Sequence, residues 1–330
     1  MFPEPLQTRI VEIGQKITVN QFAQDVLNGL SSEDKFLSSK YFYDETGSKL
    51  FEEIMKLPEY YLTNSEWDIF KRHKKDLLDK LNGESFQLVD LGAGDAQKTM
   101  VLLDHFYAQI ADFNYVPIDI NKNVLEELEV LLNKELPGLS TIPVVAEYFD
   151  ALEWIGQNQK GRKLVLFMGS NIGNFNKEGA KAFLCEMHRA LNKGDLLLIG
   201  FDLKKDPRKI LNAYDDSKGV TAQFNLNLLQ RINNELGGNF NIENWKHYAS
   251  YHPVSGAVES FLISQSKQEV FITDLDKMFF FEKFEAIHTE YSYKYSIQEI
   301  EEISNACRFE IVENYYSSDK GFVDSIWSVL

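Results

Sequence analysis

Between residues 86 and 201 the chain alternates short apolar runs with longer amphipathic ones. The runs 86–91, 114–120, 141–146, 163–168 and 195–201 have the length and near-continuous hydrophobicity of strands buried on both faces. The segments 98–111, 121–134 and 177–192 between them read as helices. Alternation at this spacing predicts a doubly wound parallel sheet. A helix over 66–81 leads into it. Upstream, residues 1–20 read as a loosely attached arm, 19–27 as a short amphipathic helix, and Gly47-Ser48 opens a helix that Pro58 ends.

Beyond Phe201 the period changes. Asp206-Pro207 starts a helix through Tyr214, and Gly219 opens another. The stretches 247–251, 257–264, 268–271, 278–283 and 286–295 follow, several with the period-2 alternation of antiparallel strands. Ser296-Ile297-Gln298-Glu299 is a capping box opening a helix that ends near Ala306-Cys307. The apolar stretches 309–316 and 322–330 suit a terminal hairpin. No internal repeat or low-complexity linker interrupts the chain.

The turn chemistry narrows the ligand. Run 86–91 breaks into Gly92-Ala93-Gly94, where two glycines allow a sharp turn and close approach of backbone to a ligand. Asp119 ends the next strand, where such folds bind a ribose diol. The third glycine of the dinucleotide fingerprint is missing and Asp90 precedes the turn, a combination commoner with S-adenosylmethionine (SAM) than with NAD. A tight turn without ligand is the plain alternative. Run 163–168 ends in Gly169-Ser170-Asn171-Ile172-Gly173-Asn174, either a ligand loop or a polar turn with an N-cap. The aromatic-rich stretch 40–66 holds Tyr43, Phe51 and Tyr60, which from their chemistry alone read as bridges between surface and core rather than as ligand residues.

Composition excludes other classes. Of 330 residues, 44% are hydrophobic and 25% charged, an ordinary globular balance. A net charge of -16 argues against nucleic acid or an anionic membrane as partner. Cys185 and Cys307 lie far apart without metal spacing, so they read as core residues, and no metal site is expected. No apolar run approaches membrane-spanning length, and the cytoplasm is the expected compartment. A monomer is expected.

Four blocks carry a family resemblance. Tyr41-Phe-Tyr-Asp-Glu-Thr-Gly-Ser-Lys-Leu-Phe51 with Leu57-Pro-Glu-Tyr-Tyr-Leu-Thr63, then 167–175, 213–225 and 288–295, resemble in order the signatures of the histidine-specific SAM-dependent methyltransferases. Those enzymes form hercynine, the first step towards ergothioneine. Fungal enzymes acting on a prenylated tryptophan share the blocks. The resemblance implies an α/β fold: a Rossmann-like class I methyltransferase core over 65–204 and 295–330, and a second α+β substrate lobe over 17–64 and 205–294. It implies SAM as cofactor on Gly92, Gly94, Lys98, Asp119, Tyr148 and Phe149, and a small amino-acid substrate. Asn174 and Tyr214 match the residues on the substrate carboxylate. Tyr60 matches the substrate-facing tyrosine, Phe51 and Gly169 shape the space around the amine, and Tyr43 joins Phe51 and Tyr60 as an aromatic that tolerates the growing quaternary ammonium. Glu290 and Ser292 match the imidazole-reading pair.

Two stretches depart from the family. Glu259-Ser260-Phe261-Leu262 stands where it often has Glu-Met-His-Leu, and Glu147-Tyr148-Phe149 where it often has Gly-Asp-Phe. The first leaves the ring pocket open and the second the adenine contact. The implied reaction is displacement on the SAM methyl by the α-amino nitrogen, repeated to a trimethylammonium. The same chemistry on tryptophan or a derivative is the nearest alternative. An NAD-linked oxidoreductase and a SAM-binding protein without activity are the others.

Overall fold

A computed structural model describes residues 10–13, 19–158 and 160–329. Two compact units divide the chain. One comprises Leu62–Leu203 and Tyr295–Leu330 with the described part of Met1–Lys16; the other comprises Ile17–Tyr61 and Lys204–Lys294. The strands, in chain order, are β1 (Val11–Glu12), β2 (Phe86–Leu91), β3 (Phe113–Asp119), β4 (Val144–Val145), β5 (Arg162–Phe167), β6 (Leu196–Asp202), β7 (Trp245–His252), β8 (Ala257–Ser264), β9 (Gln268–Ile272), β10 (Lys277–Phe281), β11 (Ala286–Tyr293), β12 (Phe309–Tyr316) and β13 (Phe322–Val329).

The first unit is one eight-stranded sheet in the order β1-β4-β3-β2-β5-β6-β13-β12. Strands β1 to β6 are parallel, and β13 pairs antiparallel with both β6 and β12. Leu88, Val89, Leu164, Val165, Leu197 and Leu198 are fully buried, as in a sheet covered on both faces. The capping box forms as its residues require: Ser296 Oγ accepts from the Glu299 N–H while the Glu299 carboxylate accepts from the Ser296 N–H.

Four sequence expectations change. The run 141–146 contributes only Val144–Val145 to the sheet, and a helix the pattern did not mark, Tyr148–Asn158, follows it. The helix expected over 66–81 begins earlier, at Tyr61. Of the expected arm, residues 1–9 and 14–18 lie outside the described residues, but Val11–Glu12 pairs with β4 at the sheet edge. The cysteines, expected as separate core residues, form the disulfide Cys185–Cys307, because helices Lys177–Ala190 and Ile297–Ala306 pack together.

The second unit packs helix Val220–Leu236 against a three-stranded antiparallel sheet, β11-β8-β7, beside the β9–β10 hairpin. Phe224, Leu228, Ile232 and Leu236 recur at helical spacing and are buried with Phe22, Val26, Phe42 and Ile54. Asp44 caps helix Glu45–Met55, its carboxylate accepting the Gly47 N–H at 2.7 Å.

Candidate functional site

In the first unit, strand order makes neighbours of two loops far apart in sequence. β2 lies between β3 and β5, so the chain winds outward in both directions from it and leaves a crevice beyond the strand ends. The N–H groups of Gly92 and Ala93 both donate to the Ile118 carbonyl, at 2.8 and 3.0 Å, which holds the turn against the end of β3. There Asp119 accepts the Gly94 N–H at 3.0 Å and the Asn121 N–H at 2.9 Å. Burial pushes the Asp119 carboxyl above its ordinary range, against the pull of those amides.

Gly92 and Gly94 have φ of +77° and +53°, in the left-handed region that favours glycine. A Cβ on Gly92 would lie 3.0 Å from the Tyr148 hydroxyl and 3.1 Å from Asn171 Nδ2, whereas the space over Gly94 is open. With the Ile120 amide as a third donor, the Asp119 carboxylate keeps one of its roughly four lone-pair sites for an incoming hydroxyl. Open backbone beside a diol acceptor fits the ribose end of SAM. Beneath the turn, Asp90 accepts from Thr99 Oγ1 at 2.7 Å and Tyr115 Oη at 2.9 Å, and burial raises it to about 6.

Lys98 and Gly169, both expected site residues, meet through a residue the sequence reading missed. Glu66 is fully buried; one carboxylate oxygen accepts the Gly169 N–H at 2.6 Å and the other pairs with the Lys98 ammonium. Burial pulls the Lys98 pKa down, but the Glu66 charge and hydrogen bond outweigh it, and the net shift is upward. Asp324 of β13 is buried nearby with neither oxygen hydrogen-bonded, and burial followed by repulsion from Glu66 raises it far above a usual carboxyl. The signal for Glu66 was present: it shares a helix face with Leu62, Ile69 and Phe70, all buried.

The remaining first-unit candidates separate. Tyr148 turns inward, its ring 5.2 Å from that of Phe167, and its hydroxyl faces Gly92. Phe149 is 49% exposed, its ring edge-on to Phe183. Asn174 ends the short 3-10 turn Asn171–Asn174 and is exposed.

The second unit gathers the other candidates into two groups. Phe51 and Tyr60 sit edge-on, and Tyr43 and Phe51 both pack on Phe224, with ring centroids 5.5 to 6.1 Å apart. The other group lies on β8 and β11. A bulge between His288 and Glu290 resets the alternation of β11, and past it Glu290 stands opposite Ser260 and Ser292 opposite Val258. Ser260 is buried with its hydroxyl oxygen lacking a partner. Burial raises the Glu290 carboxyl to about 7, with Lys294 pulling the other way. Tyr214 Oη lies 2.7 Å from Ser292 Oγ, and His247 Nε2 lies 2.9 Å from the Tyr214 carbonyl. Behind the strand, Thr289 donates to Asn225 at 2.8 Å, two residues the sequence reading did not mark.

Comparison with known proteins gives the arrangement its context. The family described as "Histidine-specific methyltransferase, SAM-dependent" matches residues 22–329. A histidine N-alpha-methyltransferase of Mycobacterium tuberculosis is 35% identical over 84% of this chain and 85% of its own length. Ergothioneine biosynthesis protein 1 of Schizosaccharomyces pombe is 32% identical over 86% of this chain and 37% of its own. An L-tryptophan methyltransferase of Psilocybe serbica is 29% identical over 84% of each. Cofactor and reaction class follow, and the NAD reading falls: the protein is a SAM-dependent N-methyltransferase with a class I core. The chain belongs to the family of SAM-dependent, histidine-specific methyltransferases.

Proposed function

We propose that the protein methylates the α-amino group of L-histidine, ending at the trimethylated betaine hercynine, within ergothioneine biosynthesis. The observation that carries this reading is the pair Glu290 and Ser292 past the β11 bulge, with Tyr214 hydrogen-bonded to Ser292. A carboxylate and a hydroxyl two residues apart on a strand address the two nitrogens of an imidazole. Tyr214 serves the substrate carboxylate without adding charge.

SAM, when bound, supplies an electrophilic methyl group to a nucleophile in line with its sulfur. Gly92, Gly94, Asp119 and Lys98 hold it, and the chain supplies alignment. The attacking amine must be neutral, and with no histidine or lysine assigned as base, water takes the proton. The cluster of Tyr43, Phe51 and Tyr60 tolerates the growing quaternary ammonium through cation–π attraction, about 1–2 kcal/mol when desolvated.

Ser260 supports a second reading. Smaller than the methionine that the family often has there, and with an unpartnered hydroxyl opposite Glu290, it gives room to a larger ring such as indole. Incubation with isotope-labelled SAM and single amino acids, read by mass, separates the two. Three labelled methyl groups on histidine support the proposal; labelled tryptophan with unlabelled histidine refutes it.

A further inference from the structure

On β8 burial alternates without a break. Val258, Ser260, Leu262 and Ser264 are buried, and Glu259, Phe261 and Ile263 between them are partly exposed. Their partners on β11 do not keep the same alternation. Ile287 stands opposite Leu262 and His288 opposite Phe261, but Glu290 stands opposite Ser260 and Ser292 opposite Val258. Thr289 is the extra residue of the bulge, with no opposite number on β8, yet it is only 1% exposed.

That one residue decides what the strand presents. In unbroken antiparallel register Thr289 would stand opposite Ser260, Glu290 opposite Glu259 and Tyr291 opposite Val258. A one-residue change of register moves every following side chain to the other face. Glu290 and Ser292 would then share the outer face with His288, and Glu290 would meet a second carboxylate. The bulge delivers both residues to the face that carries Ser260.

A bulge interrupts the ladder, and the Thr289 side chain bridges the interruption. Its hydroxyl lies 2.8 Å from Asn225 Oδ1 and 3.0 Å from the Ser260 carbonyl. The far end of the amide fixes the direction of the first bond. Asn225 Nδ2 donates to the Thr221 carbonyl at 3.1 Å, one turn earlier in helix Val220–Leu236, and a carbonyl only accepts. Asn225 therefore turns its oxygen to Thr289, and the Thr289 proton lies between that oxygen and the Ser260 carbonyl. Asn225 is fully buried within a helix, where asparagine is a poor helix former, and Thr289 supplies the donor that its oxygen needs.

We propose that Thr289 and Asn225 are specificity-determining positioning residues: the Thr289 hydroxyl, held between helix Val220–Leu236 and β8, pins the one-residue bulge that turns Glu290 and Ser292 towards the substrate ring. The pair acts through the register of β11 and not by contact with the ring. Valine at 289 keeps the shape but takes the donor from two oxygens, and β11 is released towards unbroken register. Serine keeps the donor.

This inference rests on Glu290 and Ser292 as readers of the imidazole, and the test keeps the two failures apart. kcat/KM for histidine and for tryptophan is measured with the unmutated enzyme, Thr289→Val, Thr289→Ser, Glu290→Ala and the double variant Thr289→Val/Glu290→Ala. SAM calorimetry and thermal unfolding check the fold of each. Thr289→Val is expected to lower the histidine-to-tryptophan ratio about tenfold, chiefly through a higher KM for histidine. Thr289→Ser is expected to recover at least half of that loss on a logarithmic scale. In the Glu290→Ala background, where the positioned group is gone, Thr289→Val is expected to change the ratio by about threefold at most. If Thr289→Val does not fold, Thr289→Val/Asn225→Leu takes its place. It removes donor and acceptor together, and the same fall is expected.

An unchanged ratio in a folded valine variant overturns the role of the pair. An equal loss in the valine and serine variants also overturns it, as does a full additional loss on top of Glu290→Ala, because the hydroxyl would then not act through Glu290. Failure of both Thr289→Val and Thr289→Val/Asn225→Leu to fold overturns it too, by making the pair a requirement of the fold and not of specificity. A ratio indifferent to Glu290→Ala, or preference of the unmutated enzyme for tryptophan, overturns the reading of the ring and this inference with it.

Discussion

Glu66 gives the most quantitative test of the first unit. Its carboxylate satisfies the Gly169 N–H at 2.6 Å and the Lys98 ammonium, and the side chain is fully buried. Glu66→Ala leaves a buried backbone donor unpaired, worth about 1–3 kcal/mol. It also leaves the Lys98 cation without its partner; breaking a buried pair from one side costs about 3–5 kcal/mol. Because 22% of the Lys98 side chain remains exposed, water recovers part of that. The total expected loss of unfolding free energy is therefore about 3–5 kcal/mol rather than the sum of the two terms.

Gly200 supplies an internal control. A Cβ there would collide with the Glu66 carboxylate and lie 3.1 Å from the Phe322 ring. Gly200→Ala alone should cost about 1–3 kcal/mol of overpacking. In the Glu66→Ala background the larger of the two clashes is gone, and the cost should fall by about 1 kcal/mol or more, the usual size of a coupling between touching residues. The assay is urea unfolding of the four proteins of the cycle, followed by circular dichroism. Additivity of the two substitutions would refute the placement of the Glu66 carboxylate under β6, and with it the bridge between Lys98 and Gly169.

Further outcomes follow from the same geometry. Asp119→Ala removes the acceptor at the end of β3 and should weaken SAM binding roughly tenfold or more, the worth of one lost charged hydrogen bond; unchanged calorimetric affinity in a folded variant would contradict the cofactor assignment. Glu290, raised to about 7 from an ordinary 4.5, favours its protonated form in the folded state, so it contributes stability that is complete below about pH 4.5 and is lost as pH rises through 7. Glu290→Gln should therefore flatten the stability profile between those values, and identical profiles would refute the shift. The same ionisation predicts that the histidine-to-tryptophan ratio of kcat/KM rises through pH 7, since deprotonation of the α-amine cancels in the ratio; Glu290→Gln should diminish that rise, and an equal rise in both enzymes would count against Glu290 reading the ring.

The parallel core was legible because strands buried on both faces are written as continuous apolar runs, and 163–168 and 195–201 fall within one residue of β5 and β6. Helix Tyr148–Asn158 was not, since its start coincides with the departure from the family's cofactor stretch and lies beside a run expected to be strand. The glycine turn and Asp119 could be read because each sits at a strand end, where sequence position fixes spatial position. Glu66 could not be read as a site in that way. Its role depends on Lys98 and Gly169, 32 and 103 residues distant, and only strand order and side-chain packing make those neighbours. The disulfide is the same case: 122 residues separate its cysteines, and helix packing alone pairs them.

The central claim is that a SAM-dependent enzyme of this family reads an imidazole through Glu290 and Ser292 even though Ser260 leaves room for more. A competition assay tests it most directly. The unmutated enzyme is given equal concentrations of histidine and tryptophan with limiting SAM, and both products are followed by mass spectrometry from the first turnovers. Methylated histidine is expected to exceed methylated tryptophan by tenfold or more, the discrimination that one unpaired buried group supplies at roughly one order of magnitude. Equal labelling, or an excess of methylated tryptophan, would contradict it.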